Sequence, residues 1–165
     1  MFRRARDFAI VAHGKQLYGE HPYVVHLDTV AGLCASWFPK EPSLRVAAYL
    51  HDVVEDTSVT IEQLRDLFPK RVCDMVQAVT NESGNSRKER NTLTYPKIAT
   101  TPGGVHLKLS DRVANVEECW RTKDRKLFMY YREYKGFRDA LWRVDDPQAL
   151  ALWRRLDELL GWYAR

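Results

Sequence analysis

Cysteine is scarce and poorly spaced for a framework: Cys34, Cys73 and Cys119 are the only three in 165 residues, and none pairs as CxxC. An odd, scattered set excludes the spacing of disulfide scaffolds and cysteine-rich zinc sites, and reads as reduced thiols in a core. Long apolar runs are missing too. No stretch approaches the roughly 20 residues of a membrane span, and the N-terminal MFRRARDFAIVAHG lacks an apolar core with a small-residue cleavage site. A soluble, cytoplasmic protein with no membrane partner is expected. Repeats, linkers and low-complexity tracts are also absent, so residues 1–165 are expected to form one domain with a sizeable core.

Strand-like stretches are few, GVHLKL (104–109) being one that competes with helix. Helical spacing dominates. Phe8, Val11, Ala12 and Leu17 recur at helical intervals over 3–18, before YGEHP breaks the pattern, and a second helix is expected over 23–38. Ser43 is an N-cap candidate for a third helix that carries Leu44, Val46, Ala47, Ala48, Leu50 and Val53. Thr60 with Gln63 forms a capping-box pattern for a helix to Phe68, and Pro69 opens another with Val72, Met75, Val76 and Val79. NESGNSRKERN (81–91) reads as a loop. Amphipathic patterns return in 105–120, 126–144 and 146–165, the last with Asp146 as cap and Pro147 at its first position. Its bulky residues, with Trp142, Trp153, Leu159, Trp162 and Tyr163, complete the core or form a subunit contact, and oligomeric state stays open. The expected fold class is all-α, a single domain of about seven to nine helices.

The formal net charge is only +4, yet basic residues gather in RKER (87–90) and RTKDRK (121–126). Such runs suit a polyanionic ligand or a solvated helix face equally well. The densest chemistry lies in YLHDVVEDTSVT (49–60), where His51, Asp52, Glu55 and Asp56 fall within six positions. On a helix, His51 stacks over Glu55 and Asp52 over Asp56, so all four can face one region. Neighbouring carboxylates repel unless a cation lies between them. One imidazole beside one carboxylate suits an ion of intermediate hardness such as Mn²⁺, Fe²⁺ or Zn²⁺. Further ligands must come from elsewhere, and His26 and Asp111 each interrupt an apolar helical face. Singly, a buried His is more often a hydrogen-bonded core residue and an Asp more often a cap.

These residues carry a resemblance. AHGKQLYGEHPYVVH, AAYLHDVVEDT, FPKRVCDMVQAVT, RKER and LKLSDRVANV, in this order over residues 8–118, resemble the HD-domain metal-dependent phosphohydrolases. Within that family the chain looks like the small alarmone hydrolases related to the hydrolase domain of RelA/SpoT proteins. The resemblance implies an HD-type helical bundle in which His26, His51, Asp52 and Asp111 ligate one Mn²⁺, or another divalent ion. It implies that Glu55 and Asp56 orient or deprotonate the attacking water, and that Lys108, Arg112 and Asn115 lie near substrate. Lys88 and Arg90, with Arg87, would clamp phosphates from a mobile loop. The implied reaction removes the 3′-pyrophosphate of (p)ppGpp-type nucleotides and so lowers alarmone in the stringent response; no stretch of these residues resembles a synthetase or regulatory domain, so hydrolysis is the expected activity.

The chain departs from the family between the AH and PY elements. Leu17 and Tyr18 stand where adjacent basic residues are usual, and the stretch is one residue shorter. Leu27 follows the first ligand, where proline is frequent. Tyr18 is available to stack on a purine or to fill core. Three readings therefore stand: a guanosine alarmone hydrolase; an HD phosphohydrolase for adenosine alarmones or other nucleotide phosphoesters; and a non-catalytic nucleotide-binding helical domain. The expected partner is a small nucleotide and not a nucleic acid.

Overall fold

The computed structural model describes residues 1–143 and 145–161. Ten helical segments and one two-stranded ribbon appear among them. The helices are α1 (Phe2–His13), α2 (Val24–Trp37), α3 (Pro42–Leu50), α4 (Val53–Asp56), α5 (Ile61–Leu67), α6 (Lys70–Val79), α7 (Arg87–Thr100), α8 (Gly104–Thr122), α9 (Lys126–Leu141) and α10 (Leu150–Gly161). Antiparallel β1 (Leu17–Tyr18) and β2 (His21–Pro22) form a tight hairpin ahead of α2. One of the ten, α4, is a single turn, which leaves an all-α fold at the upper end of the expected number. No helix among the described residues is long and apolar enough to cross a membrane.

Several boundaries differ from the sequence reading, each for a local reason. α1 stops at His13 because Gly14 takes a positive φ of 54°. Its inner stripe is Ala5, Ala9 and His13 at i, i+4 and i+8, whereas Val11 is 81% exposed and Leu17, beyond the helix, is 61% exposed. Glu41 is the N-cap of α3, with Pro42 at the first position, so Ser43 lies inside the helix. The Thr60–Gln63 capping box forms in full. Val72, Met75, Val76 and Val79 are all buried.

Residues 87–91 belong to α7 and are not a loop: the Ser86 side chain accepts from Glu89 N–H, and the helix runs through Pro96 to Thr100. The segment 104–109 is helical. A side chain at Gly104 would meet Ile98 O at 2.7 Å, and one at Gly103, where φ is 84°, would meet Met75 Sδ at 2.6 Å. These two glycines let α8 start hard against α6 and α7, which fixes the rotation of everything it presents. Asp146 does accept from Ala149 N–H, but the regular helix begins only at Leu150.

α2, α3 and α8 pack mutually around the main core. Trp153, Leu156 and Leu160 of α10 close its far side. Trp142 and Leu159 are half-buried against it, and Trp162 and Tyr163 lie outside the described residues. Cys34, Cys73 and Cys119 are buried free thiols, and burial pushes Cys34 up to about 12.

Candidate metal centre and active site

Three helical elements deliver four side chains to one point. His26 comes from the first turn of α2, His51 and Asp52 from the break between α3 and α4, and Asp111 from the middle of α8. The helix does not run straight through 51–56: at Asp52 the backbone relaxes to φ −100° and ψ −5°. That break turns His51 and Asp52 inward and leaves Glu55 and Asp56 on the open rim.

The ligand atoms of His26, His51 and Asp111 all lie within 4.8 Å of one another. The two Nε2 atoms are 3.4 Å apart, and Asp111 Oδ1 is 3.4 Å from His26 and 3.6 Å from His51. Asp52 Oδ2 closes the group at 3.0 Å from His51 and 3.6 Å from His26. Bonds of about 2.1 Å to one ion place neighbouring ligand atoms about 3.0–3.4 Å apart. The donor set therefore fits a divalent ion, since four electron-rich atoms buried at this spacing require positive charge between them.

Surrounding groups orient the four. His51 Nδ1–H donates to Ala48 O at 2.8 Å, which turns the lone pair of Nε2 toward the centre. Lys108 holds Asp111 Oδ2 at 3.0 Å, and Asn115 Nδ2 donates to Asp111 Oδ1 at 2.5 Å. Tyr23 OH donates to Asp52 Oδ2 at 2.5 Å while its ring stacks on His13 at 4.4 Å. Burial and Asp52 together push the Tyr23 phenol up, so it stays a donor. Sequence reasoning passed over Tyr23, which follows Pro22 in what reads as helix-start packing.

Electrostatics bind the cluster. Burial favours neutral carboxyls, yet His51 outweighs it and holds Asp52 down at about 2. Asp111 is likewise well below its ordinary range, burial being overcome by Lys108, His26 and His51. Burial works against a charged His51, but Asp52 and Asp111 raise it well above the usual imidazole range. An ion at the centre must displace that proton. Mn²⁺ affinity, read by calorimetry between about pH 6 and 8, should therefore strengthen with pH, approaching tenfold per unit below the raised His51 value. An affinity that ignores pH would contradict this.

The centre opens into a polar cavity of ≈ 210 Å³ whose rim carries Glu55, Asp56, Asn81, Arg87, Lys108 and Arg112. Glu55 accepts from Asn81 Nδ2 at 2.8 Å and from its backbone N–H at 3.1 Å. Asp56 accepts from Gln16 Nε2 at 2.8 Å, and His13 Nδ1 lies 2.8 Å from Gln16 Oε1. Glu133 on α9 grips Arg87 at 2.6 Å and Arg112 at 3.5 Å, and the Arg112 guanidinium also lies 4.4 Å from the Phe137 ring centroid. Of the RKER residues, Arg87 faces this cavity. Lys88 lines a separate cleft of ≈ 680 Å³ between α7 and α9, and Arg90 reaches back to Gly84 O at 3.5 Å.

A wider cavity of ≈ 820 Å³ adjoins the first and shares Tyr23, Asn115 and Tyr130 with it. Tyr18 forms part of its wall, stacking on His26 at 4.7 Å and donating its hydroxyl to Asn115 Oδ1 at 3.0 Å. One face of its ring covers a centre residue while the side chain borders open space.

Known proteins resemble this chain in sequence and fold. Residues 5–133 match the family profile described as HD domain. The guanosine-3′,5′-bis(diphosphate) 3′-pyrophosphohydrolase of Aquifex aeolicus is 32% identical over 97% of this chain, which covers 23% of that protein. A Drosophila melanogaster protein of the same activity name is 34% identical over 60% of this chain and 56% of its own length. The chain thus spans well under two thirds of the curated relatives. A solved metazoan ortholog of SpoT, described as hydrolysing ppGpp, superposes with a TM-score of 0.82 at 27% identity, over 98% of this chain and 94% of the other.

Proposed function

The chain belongs to the HD-domain family, and from that premise we propose that it is a Mn²⁺-dependent 3′-pyrophosphohydrolase of guanosine 3′,5′-bis(diphosphate)-type nucleotides. Residues 1–165 act as one hydrolase domain on a small cytoplasmic substrate, with no nucleic-acid partner. The observation that carries the reading is the convergence of four ligand atoms beneath a rim that sets carboxylates against cations. The activity names of the Aquifex and Drosophila relatives, and the likeness to the SpoT ortholog, support the substrate class.

In this reading His26, His51, Asp52 and Asp111 hold the ion. When bound, it supplies Lewis-acid charge at the phosphoryl oxygens and lowers the pKa of water. Glu55, steadied by two bonds from Asn81, takes the proton of the attacking water, and Asp56, steadied by Gln16, orients that water. Arg87, Arg112 and Lys108 neutralise the pyrophosphate as it leaves. Water adds at the phosphorus on the 3′ oxygen, that P–O bond breaks, and the nucleotide retains its 5′ phosphates. Asn115 and Tyr18 border the passage from the phosphate end to the wider cavity, which receives the nucleoside.

Phosphorus NMR of the products tests the chemistry. The expected products are pyrophosphate and a nucleotide with a free 3′ hydroxyl. Stepwise release of orthophosphate would move the reading to a phosphomonoesterase of the same fold.

A further inference from the structure

The wider cavity contains a feature that bears on which base it accepts. Asp111, Asn115 and Glu118 fall at i, i+4 and i+7 of α8 and so share one face. Asp111 and Glu118 are about 10.5 Å apart along the axis, the span a nucleoside bridges between its 3′ phosphate and its base edge. Tyr18 and Tyr130 flank the same space. In its wall, Glu118 holds Arg121 in a planar fork, with Nε to Oε2 at 2.8 Å and Nη2 to Oε1 at 2.6 Å. These bonds draw the Glu118 carboxyl below its ordinary range, so at neutral pH it only accepts.

The fork shows what this carboxylate is shaped to bind. It receives two parallel N–H donors from one planar guanidinium, and guanine offers the same pair in N1–H and its 2-amino group. Adenine offers N1 as an acceptor beside its 6-amino group, which sets a lone pair against a carboxylate oxygen. Hypoxanthine keeps N1–H and lacks the 2-amino donor. Arg121 is 61% exposed and has room to swing aside. Of the other acids in the wall, Asp124 is engaged by the Lys126 N–H at 2.8 Å and Glu20 is exposed at the hairpin turn.

Resting on the hydrolase reading for where the nucleotide lies, we propose that Glu118 is the specificity residue, accepting from guanine N1–H and the 2-amino group in place of Arg121. This assigns base selection to α8, in a chain whose hairpin has Leu17 and Tyr18 where basic residues were expected.

The test is calorimetric binding of guanosine, inosine and adenosine 5′-diphosphate 3′-diphosphates, with Mn²⁺, in a Glu55→Gln background. The guanine form should bind about tenfold tighter than the hypoxanthine form and about a hundredfold tighter than the adenine form. Adding Glu118→Gln should bring the guanine-to-hypoxanthine ratio within about threefold, whereas adding Arg121→Ala should preserve it. A ratio unchanged by Glu118→Gln, or altered alike by both substitutions as for a merely structural ion pair, overturns the assignment. Turnover of the same three nucleotides by the unsubstituted protein separates the two claims. Guanine-selective binding without hydrolysis would sink the hydrolase reading and leave Glu118 as the base reader.

Discussion

Asp52→Ala is expected to lose Mn²⁺ binding by at least about a hundredfold and to abolish turnover, with the helical fold kept. The expectation follows from how many partners meet one oxygen. Asp52 Oδ2 lies 3.0 Å from His51, 3.6 Å from His26 and 2.5 Å from Tyr23 OH. Removing it leaves three ligands, frees Tyr23 and takes away the strongest electrostatic support of a charged His51. The Ala48 carbonyl, Asp111 and His26 are left to orient that imidazole. Equilibrium dialysis reports the metal, and circular dichroism checks the fold. A variant that binds Mn²⁺ as tightly as the parent would remove Asp52 from the ligand set.

Glu55→Gln should separate metal binding from chemistry. Its carboxylate is outside the ligand cluster and accepts from Asn81 through both the backbone N–H and the side-chain amide. Glutamine keeps the size and one acceptor but cannot take a proton. Metal content is expected to match the parent, while kcat falls by about 10² to 10⁴, the usual worth of a general base. Activity within about threefold of the parent would pass the role to Asp56, whose own bond to Gln16 positions it across the rim.

Much of the architecture was legible in residue order. The Thr60–Gln63 box and the inner stripe of α6 follow from local periodicity and capping, so short windows of sequence contain the needed signal. The loop reading of 81–91 holds for 81–86 and fails from Arg87 onward, because polar residues and a glycine obscure a sound N-cap at Ser86, and Pro96 hides the continuity of α7. His51, Asp52 and Asp111 stand in recognisable motifs, and the structure brings them together with His26. Tyr23 and Glu133 were not legible. Glu133 acts through Arg87, 46 positions away, and Arg112, a pairing that only the packing of α9 against α7 and α8 creates. Position alone likewise could not show that Arg87 turns to the centre while Lys88 and Arg90 turn elsewhere.

The most direct measurement is pyrophosphate release from guanosine 3′-diphosphate 5′-diphosphate by metal-stripped protein, with and without added Mn²⁺, using Asp52→Ala as the blank. The account predicts no release without the ion, full release once Mn²⁺ is restored, and none from the blank under either condition. Release by stripped protein, or equal release by Asp52→Ala, would contradict a reaction centred on these four residues.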